Sequence, residues 1–140
     1  LEFKIDDVKY RLKEYQDLSW LKNHGKVFMV IDETGSGCIS FGIVKDTKRY
    51  FYKIAGVKTI ASEVSEDESI RLLKNAVIKY KDIKHKHLIQ YLDSYDYNEF
   101  FVVVYEYADG ECLFDHWNFD KYKLTNEITP LIPNKNPILI

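Results

Sequence analysis

The sequence predicts an α+β domain in which a five-stranded antiparallel sheet accompanies one long helix. Short runs rich in β-branched and aromatic residues, each bounded by turn residues, indicate strands. A single long stretch, 65–81, carries apolar residues at helical spacing. The polar segment 45–48 is typical of a hairpin turn. The predicted strands are 27–31, 40–44, 49–55, 88–92 and 100–105, and the helix lies between the third and the fourth.

Composition limits the class of protein. The 140 residues are a one-domain length, and 46% hydrophobic with 15% aromatic residues provide material for a core. A net charge of −2 gives no indication of nucleic acid or an anionic membrane as partner. Cys38 and Cys112 are too few for a disulfide framework or a zinc site, so we expect reduced thiols in a cytoplasmic protein. The charged N-terminus does not predict a secretory segment.

Residues 1–25 are predicted to form a short helical extension that packs on the domain after it. Val8, Leu12 and Tyr15 recur at helical spacing. The acidic pair at positions 6 and 7 would favour a helix N-terminus at that point.

The domain itself is predicted to span 26–117, with a glycine-rich bend and a capped helix as its main features. Gly35-Ser36-Gly37 forms the bend between the first two strands. Ser65 and Glu68 have the spacing of a capping box, which predicts the first turn of the long helix.

The last strand, 100–105, is a nearly continuous apolar run that breaks into a polar segment. The turn Asp96-Tyr97-Asn98 is predicted to precede it, and Asp109-Gly110 is a turn signal after it. A strand that ends in an ordered polar segment is typical of the border of a pocket. Residues 118–140 are predicted as the start of the following segment and a disordered or non-native tail.

In this order the motifs resemble the small N-terminal lobe of a Ser/Thr protein kinase, over roughly Lys26 to Trp117. Gly35-Ser36-Gly37 resembles the start of the phosphate-covering glycine loop, and Tyr50-Phe51-Tyr52-Lys53 matches the third-strand motif that ends in the ATP-binding lysine. His85-Lys86-His87-Leu88-Ile89 is similar to the stretch after helix C, and Val104 to Leu113 to the gatekeeper and hinge.

The resemblance implies ATP with magnesium as cofactors of an active parent protein, and a protein substrate or regulatory partner. It implies that Lys53 contacts phosphates, that Tyr105 is the gatekeeper, and that peptide groups near Glu106 and Ala108 hold adenine. No metal ligand, nucleic acid or membrane contact is implied for this chain. The implied nucleotide-binding residues are Gly35, Gly37, Gly42, Val44, Lys53, Tyr105, Glu106 and Ala108.

Two departures from the family pattern concern the nucleotide face. Phe51 points to the same face as Lys53, since side chains alternate along a strand. It occupies the position of a small alanine that contacts adenine, so it would fill some of the adenine's volume and favours the pseudokinase-type reading. The glycine loop is also irregular. Read without gaps, Ser40 occupies the third glycine position and Gly42 the following valine position; read with two extra residues, Phe41-Gly42-Ile43-Val44 aligns with the usual Phe-Gly-x-Val ending. Alternatives remain for both motifs: the glycines fit an ordinary tight hairpin turn, and Lys53 fits a surface lysine.

Further departures concern catalysis. The helix-C glutamate is expected near Asn75 or Ala76, where there is no acid, and Glu63 or Glu68 would replace it only in an unusual helix register. No His-Arg-Asp or Asp-Phe-Gly motif occurs, so the chain is interpreted as truncated before the large lobe and not catalytic alone. Two hypotheses follow: the nucleotide lobe of a Ser/Thr kinase-like enzyme, or a pseudokinase-type interaction module with weak or no ATP binding.

An apolar cluster after the hinge predicts self-association. Leu113, Phe114, Trp117 and Phe119 would lack the partner that a large lobe provides. Contiguous exposed apolar patches usually mark association sites, so a two-fold dimer is expected. In the alternative, the tail folds back over its own lobe and hides the cluster.

Overall fold

The computed structural model describes residues 1–83 and 90–106. Within them it confirms an α+β architecture with a five-stranded antiparallel sheet and one α-helix. In chain order the elements are β1 (Glu2–Ile5), β2 (Val8–Arg11), a 3₁₀ helix (Ser19–His24), β3 (Lys26–Ile31), β4 (Cys38–Lys45), β5 (Lys48–Ala55), α1 (Glu66–Tyr80), β6 (Gln90–Tyr97) and β7 (Phe100–Glu106).

The large sheet has the strand order β3-β4-β5-β7-β6, with every neighbouring pair antiparallel. Asp46 and Thr47 turn the chain between β4 and β5 with positive φ at both positions, which is the hairpin geometry that matches strand twist. The turn predicted at Asp96-Tyr97-Asn98 begins later than expected, since β6 continues to Tyr97 and Asn98 takes the positive φ of 52°. The first two residues predicted for this strand, 88 and 89, lie outside the described residues.

The capping box predicted at the start of α1 is confirmed at its N-cap. Ser65 has extended backbone angles, and its hydroxyl accepts a hydrogen bond from the backbone N–H of Glu68 at 3.1 Å. Glu66, Asp67 and Glu68 place negative charge in the first turn, where the helix dipole favours it. In the described part of the chain, no helix has the length and apolarity needed to cross a bilayer.

The prediction of a helix near the N-terminus was wrong, because β1 and β2 form a hairpin there. Ile5 pairs with Val8, which leaves Asp6 and Asp7 as a two-residue turn with φ of 48° and 71°. The Asp6 carboxylate accepts a hydrogen bond from the backbone N–H of Val27 at 3.1 Å, so it satisfies a donor of β3 and does not cap a helix. The only helical turn in this region is the 3₁₀ segment that follows.

Both faces of the large sheet are covered. We call one the hairpin face, because the N-terminal hairpin and the 3₁₀ helix pack on it, and the other the helix face, because α1 packs on it. The hairpin face carries Ile39, Phe41, Ile43, Tyr52, Ile54, Val102 and Val104. The helix face carries Cys38, Ser40, Gly42, Phe51, Lys53, Ala55, Phe101, Val103 and Tyr105. Residues 1–25 therefore contribute to the main core.

Candidate nucleotide-facing site

The helix face brings several of the predicted nucleotide-binding residues together. Gly42, Phe51 and Tyr105 lie side by side on β4, β5 and β7. Lys53 lies one step along the same face, between Ser40 and Val103. Val44 is also on this face by the alternation of β4. The predicted placement of Phe51 and Lys53 on one face is therefore confirmed by the strand register.

Phe51 is buried at the centre of an apolar cluster on this face. Its side chain is only 1% exposed. Four half-buried side chains pack around it: Phe28, Met29, Ile31 and Tyr105. The cluster occupies the part of the face where the resemblance implies an adenine ring, and large side chains fill it.

A β-bulge and a glycine together create this cluster. The register between β3 and β4 shifts between Val27 and Met29, so the extra residue, Phe28, points to the same face as Met29. Gly42 leaves the space that both side chains use. A Cβ at position 42 would lie 2.5 Å from Met29 Cγ and 2.6 Å from Phe28 Cζ, much closer than such atoms approach. Gly42 therefore has a packing reason to be glycine.

Lys53 lies between this aromatic cluster and the apolar residues under α1, and it is half-buried. Its charge acts on its neighbour Cys38, which is 4% exposed. Burial raises the pKa of the Cys38 thiol, and the Lys53 ammonium opposes that rise. Burial also raises the pKa of the Tyr105 hydroxyl. The face thus places a strand-anchored cation beside two hydroxyl or thiol groups that burial keeps neutral.

Of the two acids proposed as substitutes for the helix-C glutamate, Glu68 pairs with a residue of its own helix, and Glu63 lies beside the glycine bend. The Glu68 carboxylate accepts hydrogen bonds from the Arg71 guanidinium, one of them from Nε at 2.9 Å. The backbone N–H of Glu63 donates to the carbonyl of Gly35 at 3.1 Å. Asn75, at a position where the family pattern expects an acid, is exposed.

The glycine bend rests on the residues that lead into α1. A Cβ on Gly37 would lie 2.8 Å from Ser69 Cβ and 3.2 Å from Val64 Cγ2, and the φ of Gly37 is +79°. Inside the bend, the Thr34 hydroxyl donates to the carbonyl of Cys38 at 2.6 Å. The Gly37 position therefore requires glycine for close packing and for its backbone angle.

Some predicted residues lie at or beyond the limit of the described residues. Glu106 ends β7, where it is paired with Tyr50 and Gln90. Ala108 lies outside the described residues, and so does the post-hinge cluster predicted for self-association, so both stay predictions. Among residues 1–83 and 90–106, no three His, Cys, Asp or Glu side chains come together as a metal site needs.

Sequence reasoning missed Phe28 and Met29 as part of this site. A regular strand would place them on opposite faces, and no residue signal marks a bulge between Val27 and Met29. It also missed Arg11, whose guanidinium bonds to Asp32 and Glu33 just before the glycine bend. The alternation of apolar and polar residues over β2 would have shown that Arg11 lies on a strand.

These features define a protein-kinase-like small lobe. The chain is 33% identical over 95 residues to Serine/threonine-protein kinase TIO of Arabidopsis thaliana, a match that covers 67% of the chain and 7% of that kinase. It is 28% identical over 87 residues to Serine/threonine-protein kinase 36 of Pongo abelii, covering 61% of the chain and 6% of that kinase. The matched stretch is thus a small part of either relative. No protein-family model matches the chain.

Proposed function

We propose that this chain is the nucleotide-facing lobe of a protein serine/threonine kinase that transfers a phosphoryl group from ATP to a protein. Phe51 and Lys53 carry the proposal, because they share one face of a central strand. They are two residues apart on this strand, which corresponds to about 7 Å. A cation for phosphates thus lies next to an apolar cluster whose rings would face a base once the β3 side chains over them move away. The similarity to two kinases supports the same assignment.

The described residues suggest a division of roles. Once Phe28 and Met29 move away, the rings of Phe51 and Tyr105 would offer an apolar surface on which a planar base can stack. The Lys53 ammonium supplies positive charge to the phosphates from a strand that packing holds in place. ATP with magnesium would supply the transferable group and neutralise its charge. The motifs for a catalytic base and for metal ligands do not occur in this sequence, so the chain alone is not expected to transfer phosphate.

A second candidate is a pseudokinase-type module that recognises a protein partner and binds nucleotide weakly or not at all. The closed state of the aromatic cluster favours it. Phe51 is 1% exposed, and Phe28 and Met29 fill the space over Gly42. The glycine bend also rests on Ser69 in this structure. A base could reach Phe51 only after side chains of β3 move away.

Calorimetric titration of adenosine and of ATP with magnesium separates the two candidates. For the kinase proposal, the wild-type chain binds both ligands. Lys53→Met weakens ATP binding by about 10- to 100-fold, the range expected for a lost charge-assisted hydrogen bond, and leaves adenosine binding unchanged. Lys48→Met is the matched control, because Lys48 is an exposed lysine at the other end of the same strand, and it should bind both ligands normally.

Phe28→Ala tests whether the aromatic cluster limits binding. If a base competes with Phe28 for the surface of Phe51, truncation of Phe28 increases the population of the open state and tightens adenosine binding. If the chain is an interaction module, neither the wild-type chain nor Phe28→Ala binds adenosine or ATP. Circular dichroism of each variant establishes that it is folded. Equal ATP binding by Lys53→Met and the wild-type chain would refute the kinase assignment of Lys53.

A further inference from the structure

Residues 11–16, which begin at the last residue of the N-terminal hairpin, contact the chain between the end of β3 and the glycine bend. The backbone N–H of Arg11 donates to Asp32 Oδ2 at 2.9 Å. Its side chain reaches both oxygens of Asp32 at 3.4 Å and also pairs with Glu33. These hydrogen bonds raise the pKa of Arg11, so the guanidinium keeps its charge at any ordinary pH. The contact fixes the point where β3 enters the bend.

The same segment also contacts the linker between β5 and α1, residues 56–65. Gln16 is 8% exposed, and its side-chain amide donates to the carbonyl of Gly56 at 3.2 Å. The Gln16 amide oxygen accepts from the backbone N–H of Lys58 at 2.7 Å. Lys13 adds a backbone hydrogen bond to the carbonyl of Lys58 at 2.8 Å. Gln16 thus satisfies two backbone groups that lie 40 and 42 residues further along the chain.

The bend and the linker contact each other as well. The backbone N–H of Glu63 donates to the carbonyl of Gly35 at 3.1 Å, and Gly37 packs against Ser69. The Ser69 hydroxyl accepts from the backbone N–H of Gly56 at 2.9 Å in a buried position. The contacts therefore form a closed ring from residues 11–16 to the bend, from the bend to the linker and α1, and from the linker back to Gln16.

We propose that residues 11–16 act as a clamp that holds the glycine bend and the linker together, so that the two open as one unit. Each part of the ring has at least one backbone group that is hydrogen-bonded to another part, and elements joined in this way tend to open cooperatively. The N-terminal segment then controls whether the bend can leave Ser69. A partner that bound residues 11–16 would release the bend without touching it. The proposal does not depend on nucleotide binding.

Amide hydrogen exchange measured by NMR tests the clamp, because each end can be perturbed and the other observed. Gln16→Ala removes the linker contact, and we expect exchange at the Glu63 amide, which bonds to the bend, to become about tenfold faster. Arg11→Ala removes the guanidinium bonds to Asp32 and Glu33 but keeps the backbone N–H bond to Asp32, and we expect exchange at the buried Gly56 amide to become about threefold faster. The smaller factor reflects an ion pair whose Arg11 side chain is 43% exposed.

Two control variants separate the clamp from general loosening. Gln90→Ala removes another glutamine that donates to a backbone carbonyl, and Lys4→Ala removes an ion pair within the hairpin. Neither should alter exchange at Glu63 or Gly56. The proposal is overturned if each perturbation accelerates exchange only at its own end, or if the controls act in the same way. Should Gln16→Ala fail to fold, the exposed site at Arg11 still decides the outcome.

Discussion

Replacing Gly37 by alanine tests whether the glycine bend is seated on α1 for packing reasons. Two costs add at this position. A residue with a side chain pays about 1–2 kcal/mol at the φ of +79°, in the left-handed region. The new methyl group would also lie 2.8 Å from Ser69 Cβ, and overpacking of this kind costs about 1–3 kcal/mol. The reduced entropy of the unfolded chain offsets about 0.4–1 kcal/mol. We expect Gly37→Ala to lower the free energy of unfolding by about 1–5 kcal/mol.

Gly35→Ala is the matched control, because it lies in the same bend but meets more space. Its Cβ would be 3.4 Å from the nearest atom, Glu63 Oε2, at the end of a flexible side chain. We expect its free energy of unfolding to stay within about 0.5 kcal/mol of the wild type.

Urea unfolding measures both variants, with helix content and the fluorescence of buried Trp20 as independent probes. Equal midpoints and equal slopes for the two variants would refute the reasoning. So would a loss of less than about 1 kcal/mol for Gly37→Ala.

Three further predictions use other parts of the lobe. Phe51→Ala should lower the free energy of unfolding by about 3–5 kcal/mol in urea, because it empties a site that is 1% exposed. Ser65→Ala should cost about 1 kcal/mol and reduce helix content in circular dichroism, because it removes the N-cap acceptor. Burial raises the pKa of Tyr10 to about 12, above its ordinary value near 10, so its contribution to stability is full below pH 10 and is lost as the pH rises to 12. Between pH 10 and 12, the free energy of unfolding of the wild type should therefore fall with pH more steeply than that of Tyr10→Phe, by about 1.4 kcal/mol per pH unit, as measured by denaturant unfolding. An equal slope for the two proteins contradicts the burial of this hydroxyl.

The strands and the helix could be predicted because their signals are local. The serine cap and the apolar spacing of α1 lie within one segment, and the valine-rich run of β7 is bounded by turns. The hairpin was missed because Val8, Leu12 and Tyr15 fit a helical period. The same region also alternates between apolar and polar residues around the pair Asp6-Asp7, which is the strand signal. A helical period and a strand period both fit this short region, and the turn residues Asp6 and Asp7 distinguish the hairpin from the helix.

The nucleotide face could be predicted only in part, for a physical reason. Alternation along β5 correctly places Phe51 and Lys53 on one face. The bulge that adds Phe28 depends on the pairing of β3 with β4, which is a tertiary property. The contact of Gly37 with Ser69 joins positions 32 residues apart, so no local sequence pattern contains it.

The glycines of this lobe show why glycine content alone does not identify a phosphate loop. A backbone amide can approach a phosphate only where the space beside it is open, so the deciding observation is what a Cβ at each position would meet. At Gly42 it would meet Phe28 and Met29, and at Gly37 it would meet Ser69. These two glycines are needed for packing whether or not a nucleotide binds. Gly35 is exposed and meets only the flexible side chain of Glu63, so among the three glycines predicted for the nucleotide site it is the one with open space beside it while the bend keeps its present position.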